Sequence, residues 1–164
     1  VAIGLLGLAK MQALAMSNTQ ISSSRSLIAL QGSSLGAAMQ GNKGYWAAGV
    51  APASFSTQGS AVTDATGVLT QTVATCFSAS APAVPTCTPA QLAAYDVQTW
   101  AQNMAAQFPS YAANFICNSM AGAPVSCTIT ITWSEKYVAL NRTTAAASGA
   151  TQTATQSYTL YVAP

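Results

Sequence analysis

Four cysteines are the residues of this chain whose chemistry is easiest to assess. They are Cys76, Cys87, Cys117 and Cys127. They form no C-x-x-C pair and the chain has no histidine, so neither a redox dithiol nor a zinc site is indicated. An even number of cysteines is typical of structural disulfides in an exported protein. Three connectivities are possible, and we favour Cys76–Cys87 and Cys117–Cys127, because each bridge would close a loop between neighbouring elements. Free buried thiols in a cytosolic protein are the alternative.

The acidic residues and serines offer little for catalysis. Asp64, Asp96 and Glu135 lie far apart in the sequence, and there is no histidine to activate a serine. Phosphate-binding motifs such as the P-loop or G-x-G-x-x-G do not occur in the sequence. We therefore predict that the protein is not an enzyme and has no cofactor, no metal site and no small-molecule substrate.

Charged residues make up only 5% of the 164 residues, against roughly 25% in an ordinary soluble domain. The basic residues are dispersed and the net charge is +2, so the sequence does not indicate nucleic-acid binding. The length fits one domain with its own core, and we assign residues 1–164 to it.

A long helix is predicted over residues 1–41, without proline and with two different halves. An apolar stripe at steps of three and four is expected to cover the protein's own sheet, and its members are Met11, Leu14, Ile21, Ile28, Leu35 and Met39. The preceding residues are apolar on every side, so they must be buried in lipid or among neighbouring subunits. These residues are Val1, Ile3, Leu5, Leu6 and Leu8.

Residues 42–164 are predicted to form a globular head. Residues 45–87 are rich in Ala, Gly, Ser and Thr and should be irregular, with short strands at most. A second helix is predicted over 88–108, because Thr88, Pro89 and Gln91 form a capping box and Pro109 bounds its end.

Asp96 falls inside the apolar arc of this second helix. A carboxylate in such a place needs a partner or a backbone donor. We expect a half-buried carboxylate that is hydrogen-bonded and orders the helix against its loop, rather than a functional group.

An antiparallel sheet is predicted over residues 113–164. Cys127, Ile129, Ile131 and Trp133 alternate with polar residues, and "SYTLYV" at the end of the chain alternates in the same way. A turn at residues 122–124 would join two strands, and residues 141–153 would form a hairpin loop. The predicted class is α+β, with a long N-terminal helix packed on an antiparallel sheet and a shorter helix at about 89–108.

This organisation resembles that of type IV pilins. "IGLLGLAKMQ" (Ile3 to Gln12) resembles the later part of the pilin membrane helix in the PilV family of minor pilins. "CTPAQLAAYDVQTWAQ" (Cys87 to Gln102) and "CTITITW" (Cys127 to Trp133) resemble that family's central segment and the strand that follows it. No resemblance covers residues 48–86.

The resemblance implies a type IV pilin fold and a structural role at the pilus tip, in the priming and capping of assembly, and hence in cell adhesion and twitching motility. The implied partners are other minor pilins, the major pilin and a large tip adhesin. The subunit would lie in the inner membrane, with its head in the periplasm, before it becomes extracellular. The disulfides fit this location.

The prepilin peptidase site of the family, Gly followed by Phe and then Glu, is absent. A membrane span takes about twenty apolar residues, so we expect that this sequence begins inside the membrane helix. A minor pseudopilin of type II secretion and an exported, disulfide-linked binding domain are the alternative functions.

Overall fold

The computed structural model describes residues 2–73, 75–76, 86–118, 124–137 and 152–164; within the first helix it describes the side chains of residues 8, 9 and 11–41. The helices are α1 (Ala2–Gly41), α2 (Lys43–Trp46) and α3 (Pro89–Gln107). The strands are β1 (Ser54–Gln58), β2 (Ala61–Thr63), β3 (Ala112–Asn118), β4 (Ser126–Lys136) and β5 (Thr153–Val162). The predicted α+β class, with a long N-terminal helix and an antiparallel sheet, is confirmed.

The sheet has five strands in the order β2-β1-β3-β4-β5, and every neighbouring pair is antiparallel. Strands β1 and β2 belong to the region predicted to be irregular. They form a hairpin in which Gln58 pairs with Ala61 and Gly59 takes a φ of 55°, a conformation that glycine adopts readily. The predicted turn at 122–124 lies partly outside the described residues, and the predicted loop at 141–153 lies almost wholly outside them.

Helix α3 begins at the capping box. The Thr88 side chain accepts a hydrogen bond from Gln91 N at 3.3 Å, and the Gln91 side chain accepts one from Thr88 N at 2.9 Å. Pro89 is the first helical residue, where its missing N–H is not needed. Phe108 caps the other end, so the helix agrees with the predicted 88–108 within one residue at each end.

Aromatic side chains between the sheet and the helices form the centre of the core. Phe55 and Phe115 are register partners on β1 and β3, and their rings stack at 4.2 Å. Trp100 from α3 meets Phe115 edge-on at 5.9 Å and Tyr111 at 5.8 Å. Aromatic groups bury large apolar areas, so these contacts fix α3 on the inner face of the sheet.

Candidate functional site

The second half of α1 packs on the sheet. Ile28, Leu35 and Met39 are 0%, 2% and 1% exposed, as the predicted stripe requires. Two glycines on the same side bring α1 close to β5. A methyl group on Gly36 would stand 3.2 Å from Val162 Cγ2, and one on Gly32 would stand 3.4 Å from Tyr158. Small residues at this contact therefore set the distance between helix and strand.

The predicted stripe is wrong at its N-terminal end. Met11 is 74% exposed, while Leu14 and Ile21 are only half-buried. The end of β4, at Glu135 and Lys136, lies beside Gln20 and Ile21 of α1. The apolar periodicity of α1 continues N-terminal to Gln20, but the sheet does not extend beyond this point, so the apolar side chains there have no strand to cover.

The part of α1 that is N-terminal to Gln20 projects from the head. Of the side chains described between Leu8 and Gln20, two are half-buried and the others are exposed. Leu8, Met11 and Met16 are 60%, 74% and 72% exposed. This segment extends about 20 Å at 1.5 Å per residue. The side chains of Val1, Ile3, Leu5 and Leu6 lie outside the described residues.

Apolar exposure continues beside the head, on the side of α1 that faces away from the sheet. Leu27 and Leu30 are 41% and 65% exposed, and Leu30 lies on the opposite side of the helix from Ile28. Helical spacing places Met16 within 40° of Leu30 on the same side. We call Met16, Leu27 and Leu30 the outer stripe. None of the helices, as far as the structure describes them, is both long and apolar enough for a bilayer.

An ion pair joins α1 to β4 near the point where the helix leaves the sheet. Arg25 Nη2 donates to Glu135 Oε2 at 3.3 Å and to Gln156 Oε1 at 3.0 Å, and Trp133 Nε1 donates to Glu135 Oε1 at 2.9 Å. Glu135 is 6% exposed and Arg25 54%. The two residues are 110 positions apart, so no local pattern in the sequence could have indicated the pair.

Two further hydrogen bonds join α1 and Asn42, the residue that follows it, to α3. Trp100 Nε1 donates to the carbonyl oxygen of Gln31 at 2.9 Å. The side-chain amide of Asn42 donates to the carbonyl oxygen of Pro89 at 2.7 Å. The part of α1 that is C-terminal to Gln20 therefore forms one unit with the sheet and α3. The projecting segment lacks such contacts among the described residues.

Asp96 differs from its prediction. It is half-buried and lines a groove of about 160 Å³ between α1 and α3, together with Gln31, Ser34, Thr99 and Asn103. It has no hydrogen bond or ion pair with any residue that the structure describes. Burial therefore acts unopposed and raises the pKa of the carboxyl group. The expected half-burial is confirmed, but the expected hydrogen bond is wrong, because no donor among the described residues lies within hydrogen-bond distance of the carboxylate.

Asp64 is the carboxylate that orders a loop. Its oxygens accept hydrogen bonds from the Thr66 N–H and hydroxyl and from Leu69 N–H, all at 2.7–2.9 Å. Burial acts to raise the pKa of Asp64, but these hydrogen bonds outweigh it and the pKa is lowered. The Gln98 side chain then donates to the carbonyls of Leu69 and Gln71 and fixes this loop on α3.

The disulfide bonds join Cys76 to Cys87 and Cys117 to Cys127, the pairings favoured from the sequence. Cys117 and Cys127 lie directly opposite each other on β3 and β4, and the Cys76–Cys87 bond ties the preceding loop to the start of α3. Among the described residues, no three His, Cys, Asp or Glu side chains are grouped so that they could hold a metal ion.

Comparison with known proteins identifies no relative. The chain matches no protein-family model, no curated protein and no solved structure. The functional interpretation therefore depends on the geometry of the chain itself.

Proposed function

We propose that this protein is a non-enzymatic structural subunit, a minor pilin that takes part in priming and capping type IV pilus assembly at the pilus tip. The observation that carries the proposal is the division of α1. Its second half buries Ile28, Leu35 and Met39 on its own sheet, while its first half projects with Leu8, Met11 and Met16 exposed.

The exposed apolar side chains supply a driving force for assembly. Full burial of a Leu or Met side chain stabilises by roughly 1.5–3 kcal/mol. The projecting segment and the outer stripe offer Leu8, Met11, Met16 and Leu30, each at least 60% exposed. Helices of neighbouring subunits would bury them in a filament, and the inner membrane would bury the start of α1 beforehand. Other minor pilins, the major pilin and a large tip adhesin are the proposed partners.

The head has features that suit a subunit exposed outside the cell. Two disulfides lie within it and an ion pair joins α1 to it, and disulfides persist in oxidising compartments. A minor pseudopilin of type II secretion would use the same division of α1, so it remains the second candidate.

Complementation tests the proposal. In a deletion strain we would express the protein with Met16→Glu or Leu30→Glu, and with Val50→Glu as a control, because Val50 is 62% exposed but lies on the head rather than on α1. We expect few surface pili with the α1 variants and normal piliation with the control, at equal protein levels. Normal piliation in the deletion strain itself would refute the proposal, and a loss of type II secretion instead would favour the pseudopilin.

A further inference from the structure

The outer face of the sheet, turned away from α1 and α3, is built almost wholly of uncharged polar side chains. We define the outer face by three register rows that cross β1, β3, β4 and β5, beginning at Ser54, Ser56 and Gln58. Every side chain in these rows is Ser, Thr, Asn, Gln or Ala, except for Ile116 and Tyr161. With strands about 4.8 Å apart and 3.4 Å per residue, the rows cover about 14 by 14 Å.

The polar part of the outer face is an open groove of about 330 Å³ whose lining includes Gln58, Asn114, Thr130 and Thr132. The amides of Gln58 and Asn114 make no side-chain hydrogen bond with any described residue. The Thr132 hydroxyl donates to the carbonyl oxygen of Ala112 at 3.2 Å and keeps its acceptor capacity. The groove thus presents both donors and acceptors to a ligand.

An apolar row borders this groove. Ile116, Thr128 and Tyr161 are register partners across β3, β4 and β5, and Ile116 and Tyr161 are 56% and 77% exposed. They lie about 10 Å apart on either side of Thr128, since neighbouring strands are about 4.8 Å apart. The aromatic ring of Tyr161 and the aliphatic side chain of Ile116 therefore lie next to the amide and hydroxyl side chains of the groove.

Charge decides which ligand this combination suits. On the outer face the nearest charge along β4 is Lys136, which lies about 14 Å beyond Thr132 at 3.4 Å per residue, because Glu135 belongs to the inner face and is 6% exposed. A charged ligand would lose hydration on the outer face, and the three rows contain no charged side chain to compensate for that loss. An uncharged ligand with many hydroxyl groups exchanges its hydrogen bonds to water for bonds to Gln58, Asn114 and Thr130, without that loss.

We infer that the outer face binds an uncharged carbohydrate, whose hydroxyl groups bond to the amides and hydroxyls of the groove while one sugar ring lies against Tyr161. This inference does not depend on the proposed function, because it uses the sheet and not α1. A sugar ring fits the apolar row because its C–H groups form an apolar face between polar edges.

Retention on immobilised polysaccharides tests the inference. The full chain, kept in a detergent without a sugar head group, would be passed over dextran, mannan and xylan, with alginate as the charged comparison. We expect binding to at least one of the three neutral polymers and none to alginate. Asn114→Ala and Tyr161→Ala should weaken that binding at least tenfold.

Matched controls separate binding from folding. Asn103→Ala and Val50→Ala remove an exposed amide and an exposed apolar group outside the outer face, and both should bind like the unaltered protein. All four variants should keep the melting temperature. No retention on any neutral polymer, or equal retention of all variants, would overturn the inference. So would self-association abolished by Asn114→Ala and Tyr161→Ala without any sugar binding, because it would make the outer face a protein interface.

Discussion

Two leucines on α1 distinguish the face that covers the head from the face that, under the proposed function, contacts other subunits. Leu35 is 2% exposed and Leu30 is 65% exposed, yet both lie in the same helix, five residues apart. Replacement by alanine removes the same atoms at each position and preserves a strong helix former. The difference between the two variants therefore measures packing on the sheet and little else.

The expected loss for Leu35→Ala follows from burial. Three carbons at about 0.8 kcal/mol each give about 2.4 kcal/mol of transfer free energy. The cavity left against the core adds to this, so we expect the free energy of unfolding to fall by about 3–4 kcal/mol, within the range for buried leucines. For Leu30→Ala we expect a change within about 0.5 kcal/mol, as for exposed sites generally.

Urea unfolding followed by tryptophan fluorescence would report both values. Trp46, Trp100 and Trp133 are 1%, 5% and 4% exposed, so their emission should change when the core opens. Leu30→Ala should nevertheless reduce incorporation into pili, whereas folded Leu35→Ala should retain its contact face. Equal destabilisation by both variants, or a stable Leu35→Ala, would refute the assignment of the two faces.

Three other changes have outcomes fixed by the same contacts. Tyr45→Phe should raise the free energy of unfolding by about 1 kcal/mol in a urea titration, because the buried Tyr45 hydroxyl has no hydrogen-bond partner in the described structure; a loss of stability would contradict this. Asp96→Asn should melt at a higher temperature than the unaltered protein at pH 7, and the gap should close below about pH 4. The reason is that the pKa of Asp96 is raised in the folded state, so the folded state loses stability as the pH rises and the carboxyl ionises, whereas asparagine stays neutral. A lower melting temperature of the variant at pH 7 would instead show that Asp96 has a hydrogen-bond donor. Replacing Cys117 and Cys127 together by alanine should lower the free energy of unfolding by about 2–3 kcal/mol, and an unchanged urea midpoint would show that the β3–β4 pairing suffices.

Local signals in the sequence were enough to predict most of the helices and strands. The capping box at Thr88 and the proline at 109 gave α3 within one residue at each end, because both act on the nearest backbone. Alternation around Ile129 predicted β4, since a strand buried on one face must alternate. The prediction for residues 45–87, irregular with short strands at most, does not specify the β1–β2 hairpin, although the Gly59-Ser60 pair between short alternating runs is a hairpin signal.

What local patterns could not supply was the extent of each contact. Periodicity in α1 continues down to Met11, but only the structure shows where the sheet ends beside Gln20. The Arg25–Glu135 pair joins residues 110 positions apart, and the predicted hydrogen-bond donor for Asp96 is not found among the described residues. Such outcomes depend on the arrangement of several elements, which no single segment encodes.

The most direct test of the account is photo-crosslinking from the outer stripe. A photoreactive phenylalanine analogue would replace Met16, which is 72% exposed, in cells that assemble pili, and Val50 on the head would serve as the control position. We predict that position 16 forms crosslinks to the helices of other pilus subunits and position 50 does not. Crosslinks from position 16 that stay within the same chain, or none at all in assembled pili, would contradict the account.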